Sequence, residues 1–223
     1  MTAIPSPASD TFDRDPLQRT LLWKTLQAIC RVVTSTLFEL NVYGKEHIPR
    51  SGGALIVSNH QSYLDPILLA VQLNRPVSFM ARSGLFDNRF FGWLIRQLNA
   101  FPVRQGTGDV GAIKETIRRL QQGHMLVIYP EGSRTEDGDL QPIEPGAGLV
   151  VKRVPVPVIP AYIEGSWEAW MRGTAIFRPH KIRVIYGPPL DTEGMKPREV
   201  VQLMGRRFHE LRDELHQRVR RQG

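Results

Sequence analysis

Short, nearly unbroken apolar runs recur along the chain, and between them apolar residues return every three or four positions. The segments "ALIVS" at 54–58, "MLVIY" at 125–129 and "VIPAYI" at 158–163 have the length and composition of buried strands, and shorter runs at 42–45, 77–81, 100–103 and 182–186 fit the same role. The stretches at about 66–73, 85–97, 110–121 and 147–153 carry the helical period instead. Strands alternating with helices that cross back over a sheet predict an α/β fold, with a mixed, largely parallel central sheet flanked by helices. A last helix over 197–220 sets Val201, Met204, Phe208, Leu211, Leu215 and Val219 on one side and many Arg, Glu and Asp on the other, so it is expected to close the core with a solvated outer face that also carries His209 and His216.

The N-terminal region breaks the alternation. From 17 to 40, Leu22, Leu26, Ile29, Val33 and Leu37 share one helical face and Lys24, Gln27, Arg31 and Thr34 another, in one long amphipathic helix or two short ones. Such a stripe packs on the domain or, with Trp23 beside Lys24 and Arg31, lies in a membrane interface. No window reaches the ~18 uninterrupted apolar residues of a membrane-spanning helix. Residues 1–15 hold acidic residues and prolines where a signal peptide needs basic and then apolar ones, so they are expected to be an unprocessed flexible tail.

Composition narrows the partners without choosing one. Hydrophobic residues make up 41% and charged residues 23% of the 223, ordinary values for one folded domain. Lys and Arg (29) outnumber Asp and Glu (22), for a net charge of +7, which favours a phospholipid surface, nucleic acid, or an acidic substrate or carrier. One cysteine, Cys30, excludes an internal disulfide and a multi-cysteine zinc site, and fits a reducing compartment.

Candidate chemistry gathers where strands run into polar loops. In "SNHQSYLDP", Asp65 suits the N-cap of a helix beginning at Pro66, while His60 sits just past an apolar strand, where α/β sheets place ligand-binding groups. Asp65 folded back onto one imidazole nitrogen would fix the tautomer and leave the other as a general base. In "MLVIYPEGSRTEDG", Glu131, Gly132, Ser133 and Arg134 follow a strand; the turn explains Gly and Ser, but Arg also offers bidentate donors to a phosphate. Arg104 ends "FPVR", and after it Gly106–Gly111 matches G-x-G-x-x-G, with Glu131 near the offset of a ribose-binding acid, so an NAD(P)-dependent oxidoreductase is a rival. Against it, Arg104 and Gln105 separate the strand from the first glycine, and Asp109 is a plain cap for the next helix. Neither "EGSRT" nor "EGSWE" completes a nucleophile elbow, and no H-E-x-x-H is present.

As a set, "NHQSYLD", "FPVR", "YPEGSR" and "VPVPVIPAYIEGS", in that order over roughly Val42 to Leu190, resemble the four motifs of the 1-acylglycerol-3-phosphate O-acyltransferase (PlsC-like glycerolipid acyltransferase) family. The resemblance implies a membrane-associated enzyme that moves a fatty acyl group from acyl-CoA or acyl-carrier protein to the free hydroxyl of a lysophosphatidic acid type lipid, without metal or cofactor. Alternatives are the same chemistry on another lysolipid or amine-bearing lipid, or the oxidoreductase above. His60 would be the base and Asp65 its partner; Arg104, Glu131, Gly132, Ser133 and Arg134 would bind the phosphorylated acceptor, and Pro160 would shape an apolar pocket. Arg82 stands in "FMARSGLF" where members often carry lysine, and is taken as a secondary phosphate contact. The implied partners are a phospholipid surface, lysophospholipid and acyl donor rather than nucleic acid, at the cytoplasmic face of the cell membrane, with 16–40 as an interfacial segment and 41–223 as the acyltransferase domain.

Overall fold

The run Ala54–Ser58 is buried at all five positions, which requires a strand paired on both edges and covered on both faces. The computed structural model, which describes residues 21–103, 110–154, 156–171, 173–174 and 176–222, puts it at the centre of a seven-stranded sheet. In chain order the described elements are α1 (Leu21–Leu37), β1 (Asn41–Tyr43), β2 (Ala54–Ser58), α2 (Asp65–Val71), β3 (Val77–Arg82), α3 (Arg89–Gln97), β4 (Ala100–Val103), α4 (Val110–Gln121), β5 (Met125–Ile128), α5 (Pro145–Arg153), β6 (Val158–Glu164), α6 (Ser166–Ala169), β7 (Arg183–Tyr186) and α7 (Pro197–Gln222). The strand order is β1-β7-β6-β2-β5-β3-β4. The pairings among β2 to β6 are parallel, while β7 runs antiparallel to β6 and β1 parallel to β7. The expected mixed, largely parallel sheet is therefore present.

Two cores cover the two faces. One joins Leu68 and Leu69 of α2 and Phe38 to Ile56, Val127 and Ile159 of the sheet. The other joins Leu120 of α4, Val151 of α5 and Met204 and Phe208 of α7 to Leu55, Val57 and Leu126. Right-handed crossovers account for this division: α2 steps one way along the sheet, α4 and α5 the other. Pro102 is tolerated in β4 because that strand is an edge.

Several expectations need correction. The helix expected over 85–97 is a 3-10 turn at Ser83–Phe86 followed by α3, because the Asn88 side chain caps α3 by accepting the Phe91 N–H at 2.9 Å. Asp65 is not the N-cap of α2 but its first residue, with Leu64 at the cap position. His216 is not simply solvated: its Nε2 meets the Glu164 carboxylate at the end of β6, whose other oxygen accepts from Arg183 at 3.3 Å. His209 is exposed as expected.

The N-terminal stripe forms one helix, and its inward side combines the buried Trp23 with polar residues. Arg31 Nε donates to the Val71 carbonyl at 2.7 Å and Gln27 Nε2 to that of Leu73 at 3.0 Å, while Thr34 is buried. These bonds occupy carbonyls at the end of α2, where a helix lacks internal donors and favours positive charge. The apolar side, with Leu21, Ile29, Val32, Val33 and Leu37, is exposed. No helix among the described residues is long and apolar enough to cross a membrane.

Tyr186, buried in β7, donates its hydroxyl to the Leu69 carbonyl, another acceptor in the last turn of α2. Tyr186→Phe leaves that buried carbonyl unpaired and is expected to lower the unfolding free energy by about 1–3 kcal/mol, measured by urea denaturation.

Candidate active site

Three adjacent strands, β5, β2 and β6, end on the same edge of the sheet. Their registers align Val57 with Ile128 and Ser58 with Ala161, so the segments after them, 129–135, 59–65 and 165–170, emerge side by side. Brought together there are His60, Asp65, Glu131, Gly132, Ser133 and Arg134. Arg82, the exposed last residue of β3, lies on the same edge but beyond β5. Arg104 and the glycines at 106 and 108 lie outside the described residues.

His60 Nδ1 stands 2.8 Å from Asp65 Oδ2. A carboxylate only accepts, so Nδ1 carries the proton and Nε2 is left as the acceptor nitrogen. The ring stacks on Tyr129, with centroids 3.9 Å apart and planes inclined by 13°, and the side chain is 19% exposed. Burial pushes the Tyr129 phenol well above its usual range, so the ring beneath the histidine is neutral.

Asp65 is fully buried. Its Oδ2 also accepts from the Gln61 N–H at 2.6 Å and the Ser62 N–H at 2.8 Å, and Oδ1 accepts from Ser166 Oγ at 2.6 Å. The carboxylate thus turns back onto the loop that precedes α2 instead of capping α2, and that loop curls around it.

Glu131 is 5% exposed, and both of its oxygens are occupied by backbone donors. Oε2 accepts from the His60 N–H at 2.9 Å and Oε1 from the Gln141 N–H at 3.2 Å. The Thr135 N–H returns to the His60 carbonyl at 2.9 Å, so the histidine's peptide is tied on both sides to the loop after β5. Burial outweighs these two bonds and lifts the Glu131 carboxyl to about 7. A buried carboxyl engaged in this way offers no oxygen to a ribose, which removes the acid that a dinucleotide site would need.

Gly132 adopts φ 75°, and Gly132 and Ser133 are exposed at the turn. Arg134 sets its guanidinium carbon over the Tyr63 ring, 3.5 Å from the centroid, and its Nη1 is buried without a hydrogen-bond partner among the described residues. The aromatic face thus holds the cation while one of its donors stays unspent. Among the described residues no group of three or more His, Cys, Asp or Glu is placed to hold a metal.

Four contributors escaped sequence reasoning. Asn59 bridges β2 to β6, accepting from the Ile163 N–H at 2.8 Å and donating to its carbonyl at 2.9 Å. Tyr129 supplies the stacking ring, Tyr63 the platform for Arg134, and Ser166 the second tie on Asp65. Only Asn59 carried a signal, its place beside the histidine at a strand end; the other three depend on contacts between segments far apart in the chain.

A protein-family model described as Acyltransferase matches residues 39–164. The chain is 28% identical over 204 residues to the 1-acyl-sn-glycerol-3-phosphate acyltransferase of Bacillus subtilis, covering 88% of this chain and 100% of that one. It is 28% identical to the human 1-acyl-sn-glycerol-3-phosphate acyltransferase alpha over 177 residues, 77% of this chain and 62% of the human one. The crystal structure of the 1-acyl-sn-glycerophosphate (LPA) acyltransferase PlsC from Thermotoga maritima superposes with a TM-score of 0.76 at 27% identity, over 86% of this chain and 79% of that one.

Because burial raises the Glu131 carboxyl from 4.5 to about 7, folding favours its protonated form. Its contribution to stability is greatest below about pH 4.5, is lost as pH rises towards 7 and is constant above. Glu131→Gln cannot ionise, so its stability deficit relative to the parent protein is expected to shrink between pH 5 and pH 8, by up to about 3 kcal/mol, as read from urea unfolding at the two pH values.

Proposed function

The chain belongs to the PlsC-like acyltransferase family, and from that premise we propose that it acylates the free hydroxyl of a lysophosphatidic acid type glycerolipid with His60 as the general base. The observation that carries this reading is His60 held in the Nδ1–H tautomer by a fully buried Asp65, beside an arginine with an unspent donor. The acceptor hydroxyl gives its proton to His60 Nε2 while its oxygen attacks the carbonyl carbon of an acyl thioester. Asp65 stabilises the imidazolium so formed. The tetrahedral intermediate then expels the thiolate, which takes the proton back from His60, and ester, thiol and neutral histidine result. This step balances without a resident cofactor, with acyl-CoA or acyl-carrier protein as the donor substrate.

Arg134 is the phosphate ligand in this reading. Tyr63 holds the guanidinium in place from one face, and the unspent Nη1 donor supports the phosphate reading. Arg82, the exposed last residue of β3, adds positive charge at the same edge of the sheet, and Arg104, assigned to the phosphate by the sequence motif, lies outside the described residues. Gly132 and Ser133 contribute an exposed turn to the acceptor site, whereas Glu131 acts beneath it, by fixing the His60 peptide.

The interfacial role of 16–40 is supported by the outward apolar side of α1. A second exposed apolar group, Phe90, Phe91 and Trp93 on α3, flanked by Arg89 and Arg96, supports contact with a phospholipid surface. Consecutive crossovers in one direction put α2 and α3 on the same face of the sheet, and α1 packs on α2, so both apolar groups belong to one side of the molecule. In this reading the enzyme is peripheral or monotopic on the cytoplasmic leaflet and 41–223 is the acyltransferase domain, while 1–15, expected as a tail from the sequence, lie outside the described residues.

His60→Ala is expected to reduce acyl transfer to lysophosphatidic acid by at least about a thousandfold while the far-UV spectrum and melting temperature stay near those of the parent; turnover within tenfold of the parent would sink the mechanism. Arg134→Ala is expected to raise the apparent KM for lysophosphatidic acid by about tenfold or more without a matching rise for a monoacylglycerol acceptor. Equal effects on the two acceptors would remove Arg134 from the phosphate site.

A further inference from the structure

The segment "IEGSWEA" after β6 has the form of a strand, a sharp glycine turn and a short helix. Gly165 adopts φ 87°, and a Cβ there would lie 2.2 Å from the Lys181 carbonyl oxygen, so the turn has room for glycine alone. A serine presented by such a turn at the end of a sheet strand is where a nucleophile would stand. Ser166 is instead fully buried, and its hydroxyl donates to Asp65 Oδ1 at 2.6 Å; Gln61 Oε1 lies farther, at 3.3 Å. One hydroxyl has one proton, and the shorter, charged acceptor takes it.

We infer that Ser166 is a positioning residue for acyl transfer: its hydroxyl pins the Asp65 carboxylate in the orientation that holds His60. Three donors converge on Oδ2, whereas Ser166 Oγ is the hydrogen-bond donor found on Oδ1 among the described residues. Two of the three Oδ2 donors are backbone N–H groups of the loop itself and move with it. Ser166 comes from a different strand end, so it is the tie that fixes the carboxylate plane relative to the sheet. Without it Oδ1 is buried and unpaired, and the carboxylate gains by rotating towards another donor, which turns the plane that His60 Nδ1–H must meet. The fourth sequence segment is thereby linked to the chemistry through Ser166, with Asn59 and Ile163 fixing the same strand end.

The inference rests on His60 being the base, and the test separates the two. Steady-state kinetics of the full chain are measured with lysophosphatidic acid and an acyl thioester for Ser166→Ala, Ser166→Thr, Ser166→Cys and His60→Ala, alongside urea unfolding and the downfield proton resonance of His60 Nδ1–H. Ser166→Ala is expected to lower kcat about tenfold or more, consistent with the loss of one hydrogen bond to a charged group, with KM for both substrates within about twofold. Ser166→Thr restores most of kcat, while Ser166→Cys, similar in size but a weak donor, behaves like the alanine variant. The downfield resonance is sharp in the parent and Ser166→Thr, and displaced or broadened in Ser166→Ala and Ser166→Cys. Parent-like kcat in the alanine or cysteine variant overturns the inference, as do equal losses in Ser166→Thr and Ser166→Cys that follow stability alone. If His60→Ala retains turnover, the acid–base reading falls instead.

Discussion

The carboxylate of Asp65 has no contact with water, and four donors from two strand ends meet its two oxygens. Taking a carboxylate out of water costs several kcal/mol unless its lone pairs are paired. The charge is therefore tolerable only when the loop after β2 curls back on it and the turn after β6 delivers Ser166. Both conditions depend on the pairing of β2 with β6, which aligns Ser58 with Ala161. A slip of one residue in that register would point the inner side chains to the wrong face and leave the charge short of a donor. Sheet register and the geometry of the proposed site are thus one constraint, and Asn59 clamping both backbone groups of Ile163 reinforces it where the strands separate.

Glu131 applies the same device on the other neighbour, with less compensation. Two backbone donors serve its carboxylate instead of four, and burial accordingly raises its carboxyl to about 7. What this achieves is local: the His60 N–H is held by Glu131 and the His60 carbonyl by the Thr135 N–H, so the peptide bearing the imidazole is fixed before the ring packs on Tyr129. A ring stacked on one face and bonded at Nδ1 has little freedom left, which supports the proposed role of a base that receives a proton in one direction. Gly132 and Ser133, two positions along, stay exposed, so one short loop is rigid on its inner side and open on its outer side.

The N-terminal helix inverts the usual arrangement of an amphipathic element. Arg31 and Gln27 are consumed as caps for the end of α2, where unpaired carbonyls gather, and apart from the buried Trp23 most of the apolar residues are left outside. In water that exposure is unfavourable, which is the physical support for the proposed contact with a lipid surface. The exposed aromatic residues of α3 extend the same surface.

The alternation of apolar runs and helical periods determined the sheet, its flanking helices and most element bounds, because burial on two faces forces unbroken apolar strands whatever the details of packing. That His60, Asp65 and Arg134 gather at one edge of the sheet was legible for a related reason, since each lies in a polar segment that follows a buried strand and parallel strands end side by side. What the tertiary structure decided were the partners. Sequence spacing allowed Asp65 to cap α2 and to orient His60 at once, and the donors gathered around the buried carboxylate leave only the second role. Glu131 reads as a ligand from its place beside Gly132 and Arg134, yet its oxygens meet backbone groups that lie 71 and 10 positions away. Ser166 lies 101 positions from Asp65, and no local pattern encodes a contact made by the alignment of two strands. The direction in which α1 turns its apolar side was equally undecided, because a stripe of leucines has the same period whether it faces a core or a membrane; the carbonyls left open at the end of α2 settled it by claiming the polar side.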